Sequence, residues 1–145
     1  MMTRRIVSTL FLVVLLIILA VIIRLWISHQ PSEERNFTVK QVIKGPDHPW
    51  YQLGDEIGFS IAGTQGKTLR LKRGVPYVFN MEKSDQQLYF TNNPEGGISK
   101  LSGRVSGTPK PFSGVRHVIF DSKSPDVLYY NSTSSKYAGG VILIA

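Results

Sequence analysis

The chain contains no cysteine among its 145 residues. Disulfides and a covalently attached c-type haem are therefore excluded, and cysteine usage carries no signal about redox compartment. Negative charge is sparse as well: 10 Asp and Glu stand against 17 Lys and Arg, giving a formal net charge of +7. The basic residues are dispersed, as Lys67, Arg70, Lys72 and Arg73, then Lys100, Arg104, Lys110 and Arg116. Such a spread describes a solvated surface with weak attraction for anionic headgroups, glycans or acidic proteins. No recognition motif accompanies it, so nucleic acid is not an expected partner. Of the three histidines, His29, His48 and His117, no two have the usual metal-ligand spacing. Phosphate loops and dinucleotide fingerprints are missing too. Asp55 and Glu56 are adjacent and point apart in an extended chain, and no His–Asp pair can be assigned to Ser132, Ser134 or Ser135. The expectation is a protein that is not an enzyme, takes no small-molecule substrate and carries no cofactor.

What the chain does have is one long apolar run. Residues 6–23 carry no charge, and Leu25, Trp26 and Ile27 extend the run past Arg24. At roughly 1.5 Å per residue, residues 6–27 reach about 33 Å as a helix, against about 30 Å for a bilayer core. A single segment crosses only as a helix, because its backbone hydrogen bonds then close internally. A cleaved signal peptide has a shorter apolar core and a small-residue cleavage site, and neither is present here. Residues 1–28 are predicted to be a short tail and an uncleaved transmembrane signal anchor, with Arg24 snorkelling and Trp26 at the interface. Arg4 and Arg5 ahead of the span predict the N-terminus inside and the C-terminal domain on the non-cytoplasmic side. Residues 29–36, polar and containing Pro31, read as a linker.

Residues 37–145 show no helical period. Short β-rich runs alternate with turn residues, the pattern of an all-β sandwich. Predicted strands cover 37–43, 56–62, 68–72, 77–82, 87–91, 116–121, 127–130 and 141–145. Leu69 and Leu71 alternate with Arg70 and Lys72, one face buried and one wet. The expected core is Phe59, Ile61, Leu69, Leu71, Tyr77, Phe79, Leu88, Phe90, Val118, Phe120, Leu128, Tyr130, Ile142 and Ile144. At about 1.5–3 kcal/mol per fully buried large apolar side chain, it offsets the ordering entropy of one domain. Residues 92–113, with Pro94, Pro109 and Pro111, are the least strand-like stretch.

Several motifs then resemble the cupredoxin family, the small Greek-key β-sandwiches that carry blue copper. Ile57-Gly58-Phe59-Ser60-Ile61-Ala62-Gly63, followed by Leu69-Arg70-Leu71-Lys72-Arg73-Gly74-Val75-Pro76-Tyr77-Val78-Phe79-Asn80, is similar to the opening of such domains. Pro125-Asp126-Val127-Leu128-Tyr129-Tyr130 and Gly139-Gly140-Val141-Ile142 resemble their closing hairpin. The resemblance implies that the four ligand positions are Gln86, Ser132, Ser135 and Ala138, where the family has His, Cys, His and Met. A blue-copper site needs a thiolate and two imidazoles with a weak axial ligand. A serine hydroxyl is hard and stays protonated near neutral pH, so the implied fold is a cupredoxin-like sandwich with its metal positions vacated.

The functional expectation is a single-pass membrane protein presenting this metal-free domain for protein docking or structural tethering. One form is a minor capsid protein linking a virion membrane to a shell, since cupredoxin-like domains with small-residue loops resemble proteins encoded by large DNA viruses. The interaction candidates are Asn131, Ser132, Thr133, Lys136 and Tyr137, with Trp50 and Tyr51, although Trp50 and Tyr51 also read as a plug at one end of the sandwich. Two sequons, at Asn36 and Asn131, are glycosylation sites if the domain enters a secretory lumen. The alternatives are copper binding or electron transfer at a relocated site using His48 with Asp47 or Asp55, and glycan or lipid-headgroup binding through Trp50 and Tyr51. His29 is read as a membrane-boundary residue, and His117 is expected to point out of its strand.

Overall fold

A computed structural model describes residues 2–28, 33–97 and 107–145. His29, linker residues 30–32 and the stretch 98–106, with Lys100 and Arg104, lie outside the described residues. The chain divides into two compact units, Met1–Glu33 and Glu34–Ala145.

The first unit holds helix α1 (Met2–Ser28). Its apolar side chains, from Ile6 to Ile27, are exposed all the way round. A helix that is apolar on every side belongs in a core or a membrane, and none of the apolar window of α1 is buried within the protein. By length and composition α1 could cross a bilayer, a test that a signal sequence also passes.

Among the described residues the second unit is a two-sheet sandwich of nine strands: β1 (Asn36–Ile43), β2 (Ile57–Ile61), β3 (Thr64–Gln65), β4 (Leu69–Leu71), β5 (Pro76–Met81), β6 (Leu88–Thr91), β7 (Gly114–Ile119), β8 (Val127–Ser132) and β9 (Gly140–Ile144). One sheet runs β3-β2-β1-β5-β7 and the other β4-β9-β8-β6. From β3 to β8 the chain changes sheet at every step. That interleaving explains the two parallel pairs, β1 with β5 and β4 with β9, in a sandwich that is otherwise antiparallel.

Every core residue expected from sequence is buried. The core also takes in Phe37, Val39, Met81, Phe112 and Ala138. Its centre is a chain of aromatic rings. Phe37 and Phe79 lie 5.1 Å apart, Phe79 meets Phe90 edge-on at 5.1 Å, and Phe90 meets Phe120 edge-on at 5.6 Å. Edge-to-face packing is what the ring quadrupoles favour.

Eight strands fall where the sequence placed them, with ends shifted by a residue or two. The two-residue β3 is an addition to that set. It exists because Ala62 and Gly63 both have positive φ, 51° and 78°, the geometry of a tight hairpin turn that matches the twist of its strands.

The orientation of β1 defines the two poles of the sandwich. The chain enters at Asn36, beside Val78 of β5, and β1 ends at Ile43, opposite the start of β2 at Ile57. Near that far end lie the start of β6, the end of β8 and the start of β9. The residues singled out by sequence gather there.

Candidate functional site

The far pole is built around three polar side chains. Gln86 immediately precedes the β6 region, where the Ser84 hydroxyl accepts its backbone N–H at 3.1 Å. Ser132 closes β8, in register with Leu88. Ser135 lies beyond it in the loop to β9. The Ser132 hydroxyl donates to Gln86 Oε1, as does that of Ser135 at 3.0 Å. Ser132 Oγ in turn accepts the backbone N–H groups of Ser134 and Ser135, at 3.0 and 3.1 Å. All three side chains are almost wholly buried. Buried polar groups need partners, and here they supply them to one another.

Asn131 organises the layer beside this cluster. Its Nδ2 donates to the Pro94 carbonyl at 2.7 Å. Its Oδ1 accepts the N–H groups of Ser132 and Ala138, at 2.9 and 3.1 Å. Gly96 lies against the same side chain, where any Cβ would collide with it. Ala138, the fourth position of interest, is fully buried and one hydrogen bond away from the cluster through Asn131.

His48 seals the other side. Its Nδ1 accepts the Trp50 N–H at 3.0 Å, so the ring proton sits on Nε2, which donates to the Ala138 carbonyl at 3.0 Å. Burial lowers the pKa of His48; the Ala138 bond opposes the shift and the nearby Lys44 cation adds to it. Lys44 is also buried. Its ammonium donates to the carbonyls of Trp50 and Tyr137, both at 3.3 Å, and to that of Leu53. Burial lowers its pKa too, against the pull of Asp55. Gly58 makes room for both side chains, since a Cβ there would press on Lys44 and on the His48 ring.

This geometry does not fit a copper ion. The donor set is an amide oxygen and two protonated hydroxyls, with no thiolate and no imidazole among them, and each hydroxyl is already engaged. A blue-copper site requires the soft and borderline ligands that these positions lack. A relocated site at His48 meets a different obstacle: both ring nitrogens are bonded to backbone groups, and among the described residues no three His, Cys, Asp or Glu side chains gather. The serines have no activating base either, since their partners are an amide oxygen and backbone N–H groups.

Three of the interaction candidates need correction. Asn131, Ser132 and Thr133 do not face solvent; all three are buried, and the side chains of Asn131 and Ser132 serve as internal hydrogen-bonding groups. A short polar loop reads as surface in sequence, yet here the outward half of the turn is folded under residues 94–97, held by Gly97 N–H to Ser132 O at 3.0 Å and Tyr137 N–H to Glu95 O at 2.7 Å. The Asn131 sequon is sequestered for the same reason, whereas Asn36 is exposed. Lys136 is exposed and paired with Glu95 at 3.3 Å. Tyr137 is half-buried against Trp50, with ring centroids 5.6 Å apart. Trp50 thus does plug the pole, while Tyr51 does not: it projects into solvent. His117 points outward as expected.

Three apolar side chains are exposed at this pole, among polar neighbours. Ile43, Tyr51 and Leu53 are 65%, 43% and 49% exposed. Ile43 and Tyr51 flank a cleft of about 330 Å³ whose walls include the exposed acids Asp55 and Glu56. Gln52 and Tyr137 are held at positive φ, 66° and 56°, a conformation that costs energy in non-glycine residues and is concentrated at functional surfaces. Sequence reasoning missed Ile43 and Leu53. Ile43 ends β1, and its exposure is visible only in the structure.

No family model matches the chain, and no curated protein matches it. Among solved structures the chain is similar to the copper protein rusticyanin. A rusticyanin variant matches with TM-score 0.48 and 12% identity, covering 79% of each chain. Reduced rusticyanin matches with TM-score 0.42 and 13% identity, over 77% of this chain and 80% of that one. Rusticyanin from Thiobacillus ferrooxidans gives TM-score 0.41 and 14% identity, over 77% and 78%.

Proposed function

We propose that this protein is a single-pass, membrane-anchored sandwich that docks a protein partner at the far pole, with the sandwich on the non-cytoplasmic side. The observation that carries this reading is the contrast between the interior and exterior of that pole. Inside, the polar groups are consumed by one another. Outside, Ile43 at the end of β1 and Tyr51 flank one cleft, and Leu53 is exposed on the same loop as Tyr51, whose Trp50 and Leu53 carbonyls are bonded by Lys44. Scattered single apolar residues are normal on a surface, but a clustered patch rimmed by polar groups marks contact sites. A rigid loop loses little entropy on binding. The acids Asp55 and Glu56 at the rim suit a partner segment that combines a Lys or Arg with an apolar side chain.

The anchor restricts where such a partner can lie. A tether between a membrane and a layer above it fits this arrangement, and a virion membrane is one setting in which such a tether is used. The test is a photo-reactive amino acid at Tyr51 of the full chain in its native membrane. It is expected to crosslink one discrete protein, while the same probe at Lys123 does not. Equal labelling from both positions, or none from Tyr51, rejects the docking site. Localisation by imaging then separates a virion from a cellular membrane.

Glycan or headgroup binding is the second reading, and the exposed Tyr51 ring favours it. Trp50 cannot supply a flat stacking platform, because Tyr137 already occupies one side of it. Binding of the full chain to a glycan array or to anionic liposomes, lost in Tyr51→Ala, would shift the reading to this class.

A further inference from the structure

We propose that two copies of this chain associate by antiparallel pairing of strand β7 with its own counterpart, centred on His117. This surface is separate from the far-pole patch and does not depend on the docking reading.

A sheet edge presents unpaired N–H and C=O groups, and soluble proteins shorten, cover or charge such edges. Three of the four edges here are managed in that way. β3 has only two residues, and β4 has three, with the exposed Arg70 at its centre. β6 is bridged by Phe112, which exchanges both backbone hydrogen bonds with Leu88, at 2.8 and 3.0 Å. β7, six residues long, closes the five-stranded sheet, and among the described residues no strand covers its outer edge. It contains no proline, and its register with β5 runs without a bulge from Gly114 to Ile119.

The direction of its backbone groups is set by the neighbouring strand. Val78 of β5 donates its N–H to the Arg35 carbonyl at 2.8 Å, on the β1 side. Its register partner on β7, His117, therefore has both N–H and C=O on the open side, and Val115 and Ile119 share that direction by alternation. Among the described residues no backbone group pairs with them there. The Val115 carbonyl accepts only the Arg116 side chain, at 3.1 Å. The side chains agree with the backbone: Val115 and Ile119 are 51% and 56% exposed, one on each side of His117.

A two-fold axis at His117 makes this strand self-complementary. Antiparallel pairing sets His117 against His117 of the second copy and Val115 against the second copy's Ile119, twice. Two apolar cross-strand pairs then cover what is now exposed. Arg116 falls opposite Val118 rather than opposite another Arg116. Such an interface is isologous and closes on itself, so it yields a dimer and not a fibre. The pairing area is small. Confinement to one membrane raises the local concentration of the second copy and supplies what the area does not.

Because the chain has no cysteine, a single introduced thiol reports one position without ambiguity. The experiment reconstitutes full-length chain in liposomes and oxidises it mildly with diamide. Directly opposed residues in an antiparallel ladder lie at a Cα separation of about 5.5 Å, within disulfide reach. His117→Cys is expected to form a disulfide dimer about tenfold faster than Arg70→Cys on the β4 edge. A mixture of Val115→Cys and Ile119→Cys chains should crosslink faster than either variant alone, which fixes the register. Circular dichroism of each variant must match the parent chain, so that a misfolded variant is not scored. A His117→Cys rate no faster than that of Arg70→Cys overturns the proposal, as does a Val115→Cys homodimer that forms faster than the mixed pair.

Discussion

Asn131 is the side chain on which the far pole most depends. Its side chain ties β8 both to the Pro94 carbonyl and to the backbone of Ala138. Replacing it with alanine leaves a buried carbonyl and two buried N–H groups unpaired, so Asn131→Ala should cost about 2–4 kcal/mol, read as a drop in the urea midpoint. His48 gives the pole its pH dependence. Burial holds its pKa below the ordinary value, so the folded state binds fewer protons than the unfolded chain. Its contribution to stability is therefore complete above about pH 6.5, the unfolded value, and is lost as pH falls toward the lower folded pKa. The urea midpoint should fall between pH 7.5 and pH 5, and His48→Gln should flatten that part of the slope. At this scale the sequence singled out Gln86, Ser132, Ser135 and Ala138, and the first three hydrogen-bond to one another. It did not show that Asn131 and Thr133 turn inward, because burial of a polar loop depends on a segment some forty residues earlier that covers it.

At the scale of elements, β2 shows how a strand is shaped by what lies across it. Gly58 is an ordinary strand position by φ, yet a Cβ there would meet Lys44 and His48. Gly58→Ala should displace both side chains and lower stability by about 1–3 kcal/mol, with the loop at 48–54 exchanging its amide protons faster as the specific sign. β1 and β8 differ in a second observable way. Their sequons are equivalent in sequence, but Asn36 is exposed on β1 while Asn131 Nδ2 is bonded to the Pro94 carbonyl. In a secretory lumen the folded protein should carry glycan at Asn36 only, so that Asn36→Gln removes the whole mobility shift on a gel. The strand positions themselves were legible, since β-branched and aromatic residues alternate and glycines punctuate them. Phe37 and Val39 went unrecognised as core because the alternation of β1 breaks down after Lys40, where β5 no longer runs beside it.

At the scale of the whole molecule, the two units pose separate questions. Glu34–Ala145 contains its own continuous core, so a chain beginning at Glu34 should be soluble and unfold in a single cooperative transition. The full chain should require detergent or lipid through α1. Addition of Cu(II) to either form should give no intense visible absorption, because the clustered oxygens offer no thiolate to the metal. Appearance of a blue band would overturn the reading of the pole.

The sequence by itself determined the apolar run, the β character of residues 37–145, the buried alternation of the core and the lack of any thiolate donor. Each of these is written in local composition and spacing, where hydrophobic periodicity and donor chemistry act residue by residue. Only the tertiary structure decided which surface is available. Whether Ile43 is covered, whether Asn131 faces out, and whether β7 is an open edge all depend on strands that are distant in sequence and end at different points. Exposure is a property of neighbours, and the neighbours here are set by a chain that crosses between its two sheets at nearly every turn.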